Sequence, residues 1–153
     1  MDEVIQSPVG EDLRRTPVYL WIVGALSLAW NAFGATDYIM TETHNAAYLA
    51  TATPAQMAWF ASFPAWEVAC WAVGVWGAVA GSLLLLARSR HAVTAFAVSL
   101  AGLALSSIYQ GLINPGPTEG HATGILVITG LIWAVAIALL VYASAMRRLG
   151  VLR

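Results

Sequence analysis

The run Trp30-Asn31-Ala32-Phe33-Gly34-Ala35-Thr36-Asp37-Tyr38-Ile39-Met40-Thr41-Glu42-Thr43-His44 closes an apolar stretch that begins at Pro17. From Pro17 to Ala35 about 19 residues pass without a charge, beyond the ~7–15 of a signal-peptide core, so the stretch reads as a retained membrane helix although Arg14-Arg15 precedes it. The polar groups arrive only toward its far end. This span runs from Pro17 to about Met40, with Pro17 suited to a first helical turn.

The rest of the chain agrees with a membrane reading. Hydrophobic residues make up 59% of the 153 residues and charged residues 10%, with mean hydropathy +0.73; soluble domains carry about 25% charge. The net charge is −1 and the sequence contains no Lys, so no basic patch for nucleic acid exists. The single Cys70 excludes an internal disulfide and any Cys-rich metal or iron–sulfur site, and reads as a small packing residue.

Three more apolar runs follow, at 64–87, 92–113 and 122–145, each near or above the ~20 residues needed to cross about 30 Å of hydrocarbon. Between the first two spans, Thr53-Pro54-Ala55-Gln56 fits a capping box with Pro at the first helical position. It predicts a short helix through Met57, Trp59 and Phe60, lying flat at the membrane interface as a collar. The expected fold is all-α: a polytopic membrane protein, a four-transmembrane-helix bundle (17–146) with that interfacial helix, an N-terminal arm (1–16) and a basic tail (147–153).

All seven arginines (Arg14, Arg15, Arg88, Arg90, Arg147, Arg148, Arg153) fall on one side of this topology. By the positive-inside rule both termini and the 88–91 link are cytoplasmic, and the two loops bearing Glu and His face outward. Lipid supplies no hydrophobic drive between spans, so small-residue stripes must carry their packing. Glu67, Trp71, Gly74, Ala78 and Gly81 share a face of span 2, which also holds the Gly77-xxx-Gly81 pair. Ser99, Gly102, Ser106 and Gln110 align in span 3, and Thr123, Gly130, Ala134 and Ala138 in span 4.

At ~1.5 Å per residue, Asn31 lies about 14 Å from the outer end of span 1, and Glu67 and Gln110 about 5 Å inside their spans. Asp37 and Tyr38 lie at the rim, with Trp30, Trp59, Trp66 and Trp71 at a similar level. Two readings stand side by side: an interfacial aromatic belt with a capping, solvated Glu67 and an interhelical Asn31, or a pocket for a small polar molecule built from Asn31, Asp37, Tyr38, Glu67, Trp71 and Gln110. Both outer loops repeat Thr-Glu-x-His, so Glu42, His44, Glu119 and His121 form a set that would suit Zn²⁺ or another divalent ion if the loops meet. No other cofactor is expected; haem is disfavoured because no His lies inside a span.

The residues Trp30-Asn31-x-x-Gly34-x-x-Asp37-Tyr38-x-Met40-Thr41-x-Thr43-x-Asn45-x-x-Tyr48-Leu49, with Phe63-Pro64-Ala65-Trp66 and Val75-Trp76-Gly77, resemble a group of short, uncharacterised bacterial inner-membrane proteins. Some of these carry the automatic label sugar transporter. The resemblance implies four spans and turns the expectation toward transport. Since one short chain can hardly form an alternating-access path, which runs between repeats, the expected actor is a homo-oligomer binding or moving a small polar solute. A small proton-coupled exporter is disfavoured, because it needs a carboxylate near the midplane. The alternative is a non-catalytic accessory or assembly subunit of a larger membrane complex; catalysis is the least expected role.

Overall fold

The computed structural model describes residues 18–117 and 122–153, which are helical apart from short links, with no strand among them. The elements are α1 (Val18–Glu42), a 3-10 turn (Leu49–Thr51), α2 (Pro54–Ala61), α3 (Ala65–Leu86), α4 (His91–Ile108) continued by a π-helical segment (Tyr109–Ile113), and α5 (Ala122–Arg148). α1, α3, α4 with its π segment, and α5 are each long and apolar enough to cross a membrane. The expected arm 1–16, and Pro17 at the head of span 1, lie outside the described residues.

Local chemistry sets the boundaries. Thr53 Oγ1 accepts from the Gln56 backbone N–H at 3.2 Å while Gln56 Oε1 accepts from the Thr53 N–H at 2.9 Å, so the capping box closes as the spacing predicts. Three helices end in the same way: the N–H groups of Asn45, Ser89 and Val151 reach back to the carbonyls of Met40, Leu84 and Met146 at 3.0, 2.8 and 3.0 Å. Each turn passes through a left-handed residue, His44 (φ 51), Arg88 (φ 57) and Gly150 (φ 72). Only the last is the glycine that such a stop favours.

Packing begins with α3 on α4. A Cβ on Gly102 would sit 2.6 Å from the Gly74 backbone nitrogen and 2.7 Å from the Cys70 carbonyl oxygen, so the two backbones meet where only glycine fits. Gly77 lies on Ser99 and Gly81 against the Phe96 ring, and Ser99 Oγ donates to the Gly74 carbonyl. The stripes of spans 2 and 3 therefore face each other within one chain. α1 packs on α3 and α5 on α4, whereas α1 and α5 scarcely touch.

The fourth stripe departs from the expectation. Among the described residues a Cβ added at Gly124 or Gly130 would meet nothing within 4 Å, and Ala134 and Ala138 are exposed. α5 instead buries Leu139, Ala143 and Met146 in a cluster with Leu20, Leu85, Ala92, Phe96 and Leu152. That core sits at the arginine end, where larger apolar side chains fill the space between all four helices. The tail completes it: the Arg153 N–H donates to the Arg88 carbonyl at 2.8 Å and the Arg90 N–H to the Arg153 carbonyl at 2.9 Å, and the neighbouring Leu152 is buried. Toward the other end, residues 123–132 of α5 are exposed, so the helix stands away from the bundle.

Candidate functional site: a cleft between α1 and α5

With α3 and α4 side by side and α1 and α5 apart, a cleft of ≈380 Å³ remains between them. α1 contributes Trp30, Asn31, Phe33, Gly34 and Asp37; α3 contributes Trp71, Gly74, Val75 and Ala78; α4 contributes Phe96, Ser99, Leu103 and Ser106; and α5 supplies an aliphatic wall from Ile128 to Leu139. Apolar walls with a few placed polar groups are the usual make-up of a small-molecule site. Of the six expected binding residues, Asn31, Asp37 and Trp71 line this cleft. Tyr38 packs edge to face on Trp71, ring centres 4.9 Å apart, without itself lining the cleft.

Glu67 and Gln110 are joined to the cleft through its wall. Ser106, a lining residue, donates its hydroxyl to Glu67 Oε1 at 2.6 Å, and Gln110 Nε2 donates to the same oxygen at 2.9 Å and to Ser106 Oγ at 2.9 Å. Glu67 is fully buried and its Oε2 has no hydrogen-bond partner among the described residues. The solvated first-turn role anticipated for Glu67 is thus replaced by a buried one: Ser106 and Gln110, about one turn apart, take the place of water. The π segment that holds Gln110 is closed by the Asn114 N–H reaching the Tyr109 carbonyl at 2.8 Å. Such bulges recur at functional sites.

Asn31 bridges α1 to α3, donating through Nδ2 to Ser82 Oγ at 2.9 Å and to the Ala78 carbonyl at 3.3 Å. Asp37 is tied from outside the helix, where the Tyr48 hydroxyl donates to Oδ1 at 2.6 Å. That bond, with burial and the carboxylate charge behind it, pushes the Tyr48 phenol up to about 12.

The collar helix is anchored rather than merely laid on an interface. Trp59 Nε1 donates to the Asn114 carbonyl at 2.8 Å, Asn114 Nδ2 donates to Ser62 Oγ at 2.9 Å, and Gly116 leaves room for the Trp59 ring. Phe63 and Trp66 pack edge to face on Tyr109, at 5.9 and 5.0 Å. The aromatic residues of this level therefore knit α2 and α3 to the end of α4.

Ser99, Ser106 and Tyr48 join the site without being among its expected residues. The two serines carry a signal in their shared stripe with Gln110. Tyr48 stands in the run that carries the resemblance, but its partner Asp37 is not legible there, because the left-handed turn at His44 is what brings the two together. Of the expected metal set, Glu119 and His121 lie outside the described residues. His44 Nδ1 lies 3.1 Å from the Glu42 carbonyl oxygen, and among the described residues no three metal-ligating side chains gather.

Fold and cleft define a class, that of small multi-pass membrane proteins with four spanning helices. Comparison with family models, with curated proteins and with solved structures gives no match for this chain.

Proposed function

We propose that this chain is a membrane subunit that binds a small solute in the cleft between α1 and α5, and that it acts in transport as a homo-oligomer. The observation that carries the reading is the cleft itself, drug-sized at ≈380 Å³ and furnished with Asn31, Asp37, Trp71 and Ser106 among apolar walls. The predominance of those walls favours an amphiphilic solute over the fully polar one that the rim residues alone suggest. An inner-membrane site with cytoplasmic termini is part of the proposal, supported by the gathering of Arg88, Arg90 and Arg153 at one end. No catalytic step is included.

The oligomer is supported by the small, uncovered face of α5 around Gly130, which suits close approach of another helix. The same face equally suits a helix of a larger complex, which is the accessory reading. Native mass measurement after mild solubilisation separates them. A defined homo-oligomer that falls to monomer on Gly130→Leu is expected; stoichiometric capture of a foreign membrane complex with no self-association would overturn the transport subunit in favour of the accessory role.

A further inference from the structure

The charge pattern of the cleft narrows what it takes. Among the cleft's lining residues Asp37 is the one with an ionisable side chain, and no Arg or His lies among them. Its carboxylate accepts from the neutral Tyr48 hydroxyl. Behind the wall stands a second carboxyl, Glu67, with Oε2 buried and unpartnered among the described residues. No arginine or lysine occurs between Arg15 and Arg88 or between Arg90 and Arg147, and His91, the one histidine within the described helices, stands at the arginine end of α4, away from Asp37. Trp30, Phe33 and Trp71 line the same space, and aromatic rings attract organic cations, most strongly where water is excluded.

Among the described residues the cleft is also open sideways. α1 and α5 scarcely touch along their length, and the aromatic contact between them, Tyr19 on Tyr142 at 6.5 Å, lies at the arginine end. The flank between them faces the hydrocarbon that surrounds a spanning bundle. An occupant can thus arrive from the lipid phase, provided it is apolar enough to dissolve there.

From these observations we infer that the cleft binds a lipophilic organic cation, its charge held by Asp37 within an aromatic wall, and admits it laterally between α1 and α5. This rests on the proposed binding role and specifies its ligand class. Glu67, linked to the lining through Ser106, sets a further hydrogen-bond acceptor behind the site, and the field that acts on the occupant is that of Asp37. Anions of similar size and greasiness are rejected by the same field.

The test uses the full chain in nanodiscs of zwitterionic lipid and two probes of matched shape, tetraphenylphosphonium and tetraphenylborate, followed by equilibrium dialysis against empty discs. Saturable binding of the phosphonium is expected, weakened at least tenfold by Asp37→Asn and abolished by Gly34→Phe. Gly34 lines the cleft with open space where a side chain would project, so the plug needs no displacement of the fold; circular dichroism verifies helix content in both variants. Should the borate bind as tightly, Asp37→Asn change nothing and Gly34→Phe still block, the cation class is overturned while the binding subunit stands. If folded protein binds neither probe saturably, both fall.

Discussion

The two ends of this bundle solve the same packing problem in opposite ways. At the arginine end all four long helices converge on Leu20, Leu85, Ala92, Phe96, Leu139, Ala143 and Met146, and the backbone of Arg153 closes on Arg88 and Arg90. At the loop end α3 and α4 remain joined through Glu67, Ser106 and Gln110, but α5 stands apart and a cleft opens. Apolar side chains fill space in every direction, whereas a hydrogen-bond network holds only the pair of helices that carries it. The open end is therefore a local consequence of what fills it, since the same helices close elsewhere.

The largest contrast between the ends lies in the glycines. Gly102→Leu drives a side chain into the backbone of Gly74 and Cys70, which cannot yield as a flexible side chain would. Overpacking of that kind costs typically about 1–3 kcal/mol, and more where backbone is the obstacle, so little folded protein is expected. Gly130→Leu meets nothing within 4 Å among the described residues and, in a detergent that holds both wild type and variant as monomers, should leave the stability within about 0.5 kcal/mol of wild type. Thermal unfolding of both checks the contrast. Equal damage from the two would mean that α5 packs on its small face after all, and the open end would lose its meaning.

A middle-sized effect tests the joint that remains at the open end. Glu67→Ala removes the acceptor shared by Ser106 and Gln110 and leaves donors buried, a loss of about 2 kcal/mol. Glu67→Gln keeps an acceptor oxygen in place and should lose less than half as much. Denaturant titration of the two variants ranks them. An alanine variant as stable as wild type would show that glycine contacts alone hold α3 to α4.

The sequence carries most of this fold in plain view because spans are written in runs of apolar residues, and the Thr53–Gln56 capping box is a short-range pattern with one geometry. The faces by which α3 and α4 meet are legible too, since Gly74, Gly81, Gly102 and Ser106 repeat at helical spacing, but their pairing is not. Which stripe is used cannot be read in the same way. Thr123, Gly130, Ala134 and Ala138 make as good a stripe as the others, yet Leu139 and Met146 on another face decide how α5 lies. The burial of Glu67 escapes for a related reason: depth along a helix is countable from sequence, but the partner across the helix pair is not. Asn31, Asp37 and Trp71 line one cleft, while Tyr38, Glu67 and Gln110 lie behind its lining.

The smallest expected effect concerns the strap that Tyr48 lays over the rim of the cleft. A phenol whose folded value stands at about 12 against an ordinary 10.0 favours the folded state while it is protonated. The contribution is therefore complete below pH ~10 and is lost as the pH rises through about 12. Tyr48 is 43% exposed, so solvent screening holds the benefit to less than about 1 kcal/mol. The local consequence is easier to see than the global one. Ultraviolet difference titration of wild type against Tyr48→Phe isolates this phenol among the five tyrosines; its midpoint should fall toward 10.0 in Asp37→Asn, because the carboxylate bond is the largest cause of the shift. A midpoint indifferent to Asp37 would mean that the strap is not held at the cleft in solution, and the open end would then be looser at its rim as well as along its flank.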